Sequence, residues 1–182
     1  MAAMEPPKAD STASKPNPFR LGVAVWIATG SWIGLIPFAP GTWGTLWGLP
    51  LAWGVSLLPG VWLQAAAIVV VCAAGIPICT AAARRLGGKK DPGSIVFDEI
   101  ASLPITFFFL PYDHFPWDRP AVIVAGFLLH RLFDILKPQP ARSLERLPEG
   151  LGIMADDWIA GVYSNLTLRL VIWMNPADFF AG

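Results

Sequence analysis

The sequence predicts an all-α protein, a multi-span membrane helical bundle with its polar site at the cytoplasmic face. Three observations predict it. Hydrophobic residues make up 54% of the 182-residue chain and charged residues only 14%, against roughly 25% charged in soluble domains. Apolar stretches of near-span length recur along the chain. The few charges stand mostly at the ends of those stretches. Mean hydropathy is +0.53, and the nine tryptophans suit a lipid–water boundary. Zero net charge leaves no basic footprint, so no nucleic-acid partner is expected.

Residues 1–20 are rich in Pro, Lys, Ser and Ala and carry no apolar core. They predict a disordered cytoplasmic tail. They do not form a signal peptide, because no apolar run there ends in a small-residue cleavage site. Residues 21–182 read as one membrane domain. Within it, 21–38 is apolar but broken by Gly22, Gly30, Gly34 and Pro37, which predicts a short or interfacial helix. Trp43–Leu58 is a short apolar piece containing Gly48, Pro50 and Gly54, and Leu58-Pro59-Gly60 is a turn signal. Val61–Ala83 is uncharged throughout and is the clearest span. Ile100–Pro111 is strongly apolar and reaches about 17 residues, the lower limit for a span, only if Ile95 is included. Pro120–Leu136 is apolar until His130 and Arg131. Trp158–Met174 is apolar apart from a few polar residues and Arg169.

Basic residues orient these spans. Arg84, Arg85, Lys89 and Lys90 follow the clearest span, and Arg131, Lys137, Arg142 and Arg146 surround the loop after Leu136. Tyr112–Asp118 holds Asp113, His114 and Asp118 with no Lys or Arg. The expected topology puts the tail, 84–94 and 137–157 inside. It puts Leu58–Gly60, 112–118 and the C-terminus outside. The stretch 39–45, Asp98-Glu99, Arg131 with Asp134, and Asp156-Asp157 then meet at the cytoplasmic boundary. Ionisable residues at such positions are costly, and they are often functional.

The acidic residues are Asp98, Glu99, Asp156 and Asp157, with Asp134 and Asp91 nearby in sequence. Adjacent carboxylates beside lipid repel one another and desolvate badly. A divalent cation removes that penalty, and an all-oxygen donor set suits magnesium. The bland alternative is that both pairs are helix-start residues favoured by the macrodipole. Neighbours on a helix point about 100° apart, so one member of each pair is free to face a site while the other caps or pairs with a cation. Arg131 lies three residues from Asp134 on one helix face. It reads equally as a phosphate ligand and as a structural partner of Asp134. The other basic residues fit ordinary positive-inside charges meeting anionic lipid heads.

Ala39-Pro-Gly-Thr-Trp-Gly-Thr45 offers backbone amides, with Thr42 and Thr45 hydroxyls, to an anion at a helix start. It reads just as well as a turn with a Thr N-cap. Cys79 and Arg84 have the Cys-x5-Arg spacing of cysteine-dependent phosphatases, but the residues between them are mostly Ala, which favours helix over an anion-binding loop. Cys72 and Cys79 make no disulfide framework. His114 and His130 have no metal-pair spacing. His130 reads as a hydrogen-bonded packing residue.

Four stretches in order, Ala39–Leu46, Gly93–Glu99, Arg131–Pro140 and Gly152–Gly161, resemble the phosphatidylglycerophosphatase A family. The likeness runs from about Gly22 to Val171. It implies a mostly helical fold and magnesium-dependent hydrolysis of phosphatidylglycerol phosphate to phosphatidylglycerol, a phospholipid-forming step at the bacterial inner (cytoplasmic) membrane. On that basis Asp98, Glu99, Asp156 and Asp157 are expected to hold Mg2+, with Asp134 beside them. Arg131 and Lys137 are expected to steady the phosphoryl charge, and Thr42 to orient it. The chain departs from the family at Glu145-Arg146, where related sequences often have Asp-Arg. It departs again at Glu149-Gly150, where they often have His-Gly-Gly. The segment 145–150 is therefore expected to be a substrate-side loop that differs here. Two rival readings remain at this stage. One is a non-enzymatic small membrane protein, which would line a path with polar residues where these spans are nearly uncharged. The other is a phosphatase for another lipid phosphate or a soluble one.

Overall fold

The computed structural model describes residues 22–87, 92–110, 116 and 119–174. The expected tail, the outer loop around Asp113 and His114, Asp91 and the C-terminus lie outside these residues. Among those described the protein is all helical, with seven α-helices and no strand.

The first, α1 (Val23–Ala28), is short and is followed by a 3-10 turn at Ile33–Leu35, as the glycines and Pro37 predict. Next, α2 (Pro40–Ser56) opens on a proline at its first position, where the missing N–H costs nothing. Helix α3 (Val61–Arg85) returns antiparallel to it. The turn between them is held by Gln64, whose amide donates to Leu58 O at 3.0 Å and Ser56 O at 3.3 Å. Then come α4 (Phe97–Phe107), α5 (Pro120–Leu136), the single turn α6 (Ala141–Leu144), and α7 (Glu149–Met174). The bounds of α5 are those expected from its apolar run.

Helix α4 is the axis of the bundle. It packs on α2, α7 and α3, and nine of its eleven residues are buried. A helix buried on nearly every side, polar residues included, is one that others enclose. Helix α7 can cross it closely because Gly161 has no side chain: a Cβ there would sit 3.0 Å from Ile105 Cβ and Ser102 O. Eleven residues span roughly 16 Å, about half of a bilayer core. The stretch read as a span over Ile100–Pro111 is therefore too short to cross by itself.

Among the described residues one helix, α3, is long and apolar enough to cross a membrane, and only 28% of its apolar window is buried inside the protein. Other helices also turn large apolar side chains outward, among them Trp53, Leu128, Leu166 and Leu170. Prolines stand inside α2, α3 and α4 at Pro50, Pro77 and Pro104, a habit more tolerated in membrane helices than in soluble ones.

Candidate active site

Three helices bring five carboxylates together at one end of the bundle. Asp98 and Glu99 lie in the first turn of α4, Asp134 in the last turn of α5, and Asp156 and Asp157 well inside α7. The last position corrects the expectation that both acidic pairs begin helices. Helix α7 starts at Glu149, so the macrodipole of a first turn does not account for Asp156-Asp157. Their carboxylates sit in the bundle because α7 runs on beneath the site.

The carboxylates form two triads that share one member. Ligand oxygens of Asp98, Glu99 and Asp157 lie within 4.8 Å of one another, and so do those of Asp134, Asp156 and Asp157. Asp157 is 2% exposed and Asp156 5%. Both members of each sequence pair therefore enter the cluster, although neighbours on a helix diverge.

Two basic side chains reach in. Arg131 Nη1 donates to Asp134 Oδ2 at 2.6 Å and lies 3.4 Å from both Glu99 Oε1 and Thr45 Oγ1. Lys137 Nζ lies 2.7 Å from Asp156 Oδ2 and 3.7 Å from Glu145 Oε1. Lys137 ends α5 in the left-handed region, φ 43°, which swings its side chain back toward α7. Burial by itself would lower its pKa. The hydrogen bond and charge of Asp156, aided by Glu145 and Asp134, outweigh that and hold the ammonium above the usual lysine range.

Several buried oxygens remain without a hydrogen-bond partner: Asp98 Oδ1, Glu99 Oε2, Asp156 Oδ1 and Asp157 Oδ2. Buried polar atoms are almost always paired, and an orphan calls for an ion or water. The donor set is all oxygen and strongly anionic, so it fits a hard divalent cation such as magnesium.

The backbone of α2 closes a further side. A Cβ on Gly41 would run into Glu99 Oε1 and come within 3.0 Å of the Arg131 guanidinium nitrogens. A side chain at Gly41 would therefore displace the ends of these two side chains. Thr45, whose hydroxyl donates to Gly41 O at 2.9 Å, is the α2 hydroxyl that meets Arg131. Thr42, the one singled out from sequence, is half-buried in the first turn of the same helix.

The family model described as phosphatidylglycerophosphatase A matches residues 26–172, a range that contains every carboxylate of the cluster. The chain belongs to the phosphatidylglycerophosphatase A family. It is 35% identical over 157 residues to the phosphatidylglycerophosphatase A of Escherichia coli (strain K12), covering 86% of this chain and 84% of that one. It is 36% identical over 160 residues to the protein of that name from Haemophilus influenzae, covering 87% and 91%. A Bacteroides thetaiotaomicron protein named as a putative phosphatidylinositol-3-phosphatase is 35% identical over 158 residues, covering 82% and 94%. No solved structure matches the chain. Membership makes the chain a phosphatase, a phosphoric monoester hydrolase, and sets aside the non-enzymatic reading.

Other residues weighed from sequence fall outside the cluster. Cys79 is fully buried in mid-helix with its Sγ 3.7 Å from Met154 Sδ, so no phosphate loop surrounds it. His130 is buried between Thr106 Oγ1, 3.1 Å from Nδ1, and Ser102 Oγ, 3.3 Å from Nε2, which is the packing role expected. In the departing segment, Glu149 pairs with Arg84 and the Gly150 amide donates to Thr80 Oγ1 at 2.9 Å. That part fastens α7 to α3, while Glu145 turns toward Lys137. A cavity of about 310 Å³ lies at the opposite end, lined by residues such as Val55, Gln64 and Phe107. No carboxylate of the described residues lines it.

Proposed function

We propose that the chain is a magnesium-dependent lipid phosphatase of the bacterial inner membrane that hydrolyses phosphatidylglycerol phosphate to phosphatidylglycerol and phosphate. One observation carries this beyond family membership: the convergence of five carboxylates whose buried oxygens lack partners. Asp98, Glu99, Asp156 and Asp157 would hold the magnesium, with Asp134 joining them. When bound, magnesium supplies charge neutralisation at the phosphoryl oxygens and a more acidic water.

The chain's own residues do the remainder. Arg131, steadied by Asp134 and Glu99, offers donors to a phosphoryl oxygen in a fork that lysine cannot supply. Lys137 adds a point charge that stays protonated at all working pH values. The start of α2 lies against the same side chains through Gly41 and Thr45, and Thr42 in its first turn would add a hydroxyl to orient the phosphoryl group. Fixed donors of this kind stabilise charge that grows at the phosphoryl group.

The same reading sets α2, α3, α5 and α7 across the bilayer, with α4 enclosed between them. The outward-facing apolar side chains support it, since large contiguous apolar surface marks contact with lipid or protein. Arg84, at the end of α3, pairs with Glu149 at the start of α7, at the same end of the bundle as the acidic cluster. Positive-inside bias makes that end cytoplasmic. The acyl chains stay in the bilayer and only the headgroup enters.

Phosphate release from phosphatidylglycerol phosphate in detergent micelles tests this, with magnesium and then with excess chelator. Release that stops with chelator and returns with magnesium is expected. Chelator-resistant release overturns the metal reading. The Bacteroides relative favours a second reading, another phosphorylated lipid headgroup. Faster release from phosphatidylinositol 3-phosphate than from phosphatidylglycerol phosphate would establish it.

A further inference from the structure

Two triads of carboxylates share Asp157, and we propose that the site takes two divalent cations with Asp157 as their common ligand. One cation would take Asp98 and Glu99 as its other ligands, and the second Asp134 and Asp156. This deepens the magnesium reading and rests on it.

Three observations lead here. The first is the arrangement itself. Each triad is compact, within 4.8 Å, yet no single group of that size holds all five residues. The donors divide into two clusters rather than one.

The second is the pattern of unpaired buried oxygens, which touches both triads. Asp98 Oδ1 and Glu99 Oε2 belong to the first, Asp156 Oδ1 to the second, and Asp157 Oδ2 to both. Asp156 keeps Oδ1 without a partner even though its Oδ2 is held by Lys137. A cation in the first triad alone would leave the Asp156 oxygen buried and unpaired. Leaving such an atom unpaired is costly, and more so when it is charged.

The third is charge. The five carboxylates share the site with two basic side chains, Arg131 and Lys137. With one divalent cation the site would still be anionic, and it would repel a phosphate monoester. With two the net negative charge is removed, as a phosphate dianion requires. Paired metal sites of this type clamp both the attacking and leaving oxygens of phosphoryl transfer.

Manganese replaces magnesium at oxygen sites and can be counted by its spin. The full chain, stripped with chelator in detergent, is titrated with manganese alone. Bound ions are measured by equilibrium dialysis and their coupling by electron paramagnetic resonance. The expected result is two manganese ions per chain at saturation, with an exchange-coupled spectrum. Asp134→Asn should bind one ion and give an uncoupled six-line spectrum. Circular dichroism and size-exclusion profiles confirm that the variant is folded, and the wild-type result needs no variant. Saturation at one ion with a six-line spectrum overturns the two-ion proposal and leaves the magnesium reading standing. Two uncoupled ions overturn the sharing of Asp157. No binding by folded protein overturns both proposals.

Discussion

Helix α4 meets polar side chains at both ends, and the two ends follow opposite rules. At its C-terminal end the polar groups are matched. Asn165 Nδ2 donates to Thr106 O at 3.0 Å and Phe108 O at 2.8 Å. Arg169 donates to Asn165 Oδ1 at 2.8 Å and Phe108 O at 3.1 Å, and it also reaches Phe109 O. These bonds serve carbonyls that a helix end leaves without partners. At its N-terminal end Asp98 and Glu99 are buried among other acids with oxygens left unpaired. A fold built only for stability would not gather them. The contrast separates residues that hold the bundle from residues that wait for a ligand, and mutation can test that division.

The largest effect is expected at the acidic end. Asp98→Asn should lower kcat about a thousandfold, since metal-site charge stabilisation is worth several kcal/mol. The same variant should unfold no more easily than wild type without magnesium, because it removes a repelling charge. Phosphate release and thermal unfolding in detergent, measured side by side, check both halves. A folded Asp98→Asn protein with full activity would remove this residue from the site.

Magnesium should act on the same end. A ligand at about one hundred times its dissociation constant stabilises the folded state by about 2.7 kcal/mol. The unfolding midpoint of wild type should therefore rise with magnesium, and that of Asp98→Asn should rise far less. Equal shifts in both proteins would mean that the ion binds elsewhere.

At the matched end the pattern should invert. Arg169→Ala takes the Arg169 donor from Asn165 Oδ1 and the Phe109 carbonyl and leaves Phe108 O with Asn165 alone, which costs about 1–3 kcal/mol. Its unfolding midpoint should drop while kcat per folded molecule holds. A variant that kept its midpoint and lost turnover would erase the distinction between the ends.

Much of the acidic end was legible in the sequence, because charge in an apolar chain is conspicuous. Asp98, Glu99, Asp134, Asp156, Asp157, Arg131 and Lys137 all stand out, and the structure brings them together. What sequence did not give was depth. Asp156-Asp157 looked like a helix start because the apolar run begins at Trp158, while Glu149–Ala155 contains Gly150 and Gly152, which weaken a helix signal. Thr42 and Thr45 stood together as candidate hydroxyls, and only the packing of α2 on α5 brings Thr45 to Arg131. The matched end was missed altogether. Asn165 and Arg169 are four apart on α7, a pairing that sequence allows, but their partners are carbonyls some sixty residues away. No local signal marks a backbone oxygen.

Between the two ends lies a third polar group whose allegiance the same comparison decides. Ser102, His130 and Thr106 form a buried chain linking α4 to α5. Ser102 sits one turn beyond Glu99, and His130 precedes Arg131. Its donors and acceptors are matched, as at the far end, yet its neighbours are those of the site. Ser102→Ala leaves one His130 nitrogen unpaired, a cost of about 1 kcal/mol. If the chain only fastens α4 to α5, the midpoint falls slightly and kcat stays within about twofold, since 1.4 kcal/mol would be needed for a tenfold change. If the chain instead sets where Arg131 meets Glu99, kcat falls with little change in midpoint, and Ser102→Thr, which restores the hydroxyl, recovers it. The matching of every polar atom in the chain argues for the first outcome. On that result the ligand-receptive region ends at Glu99, one turn into α4.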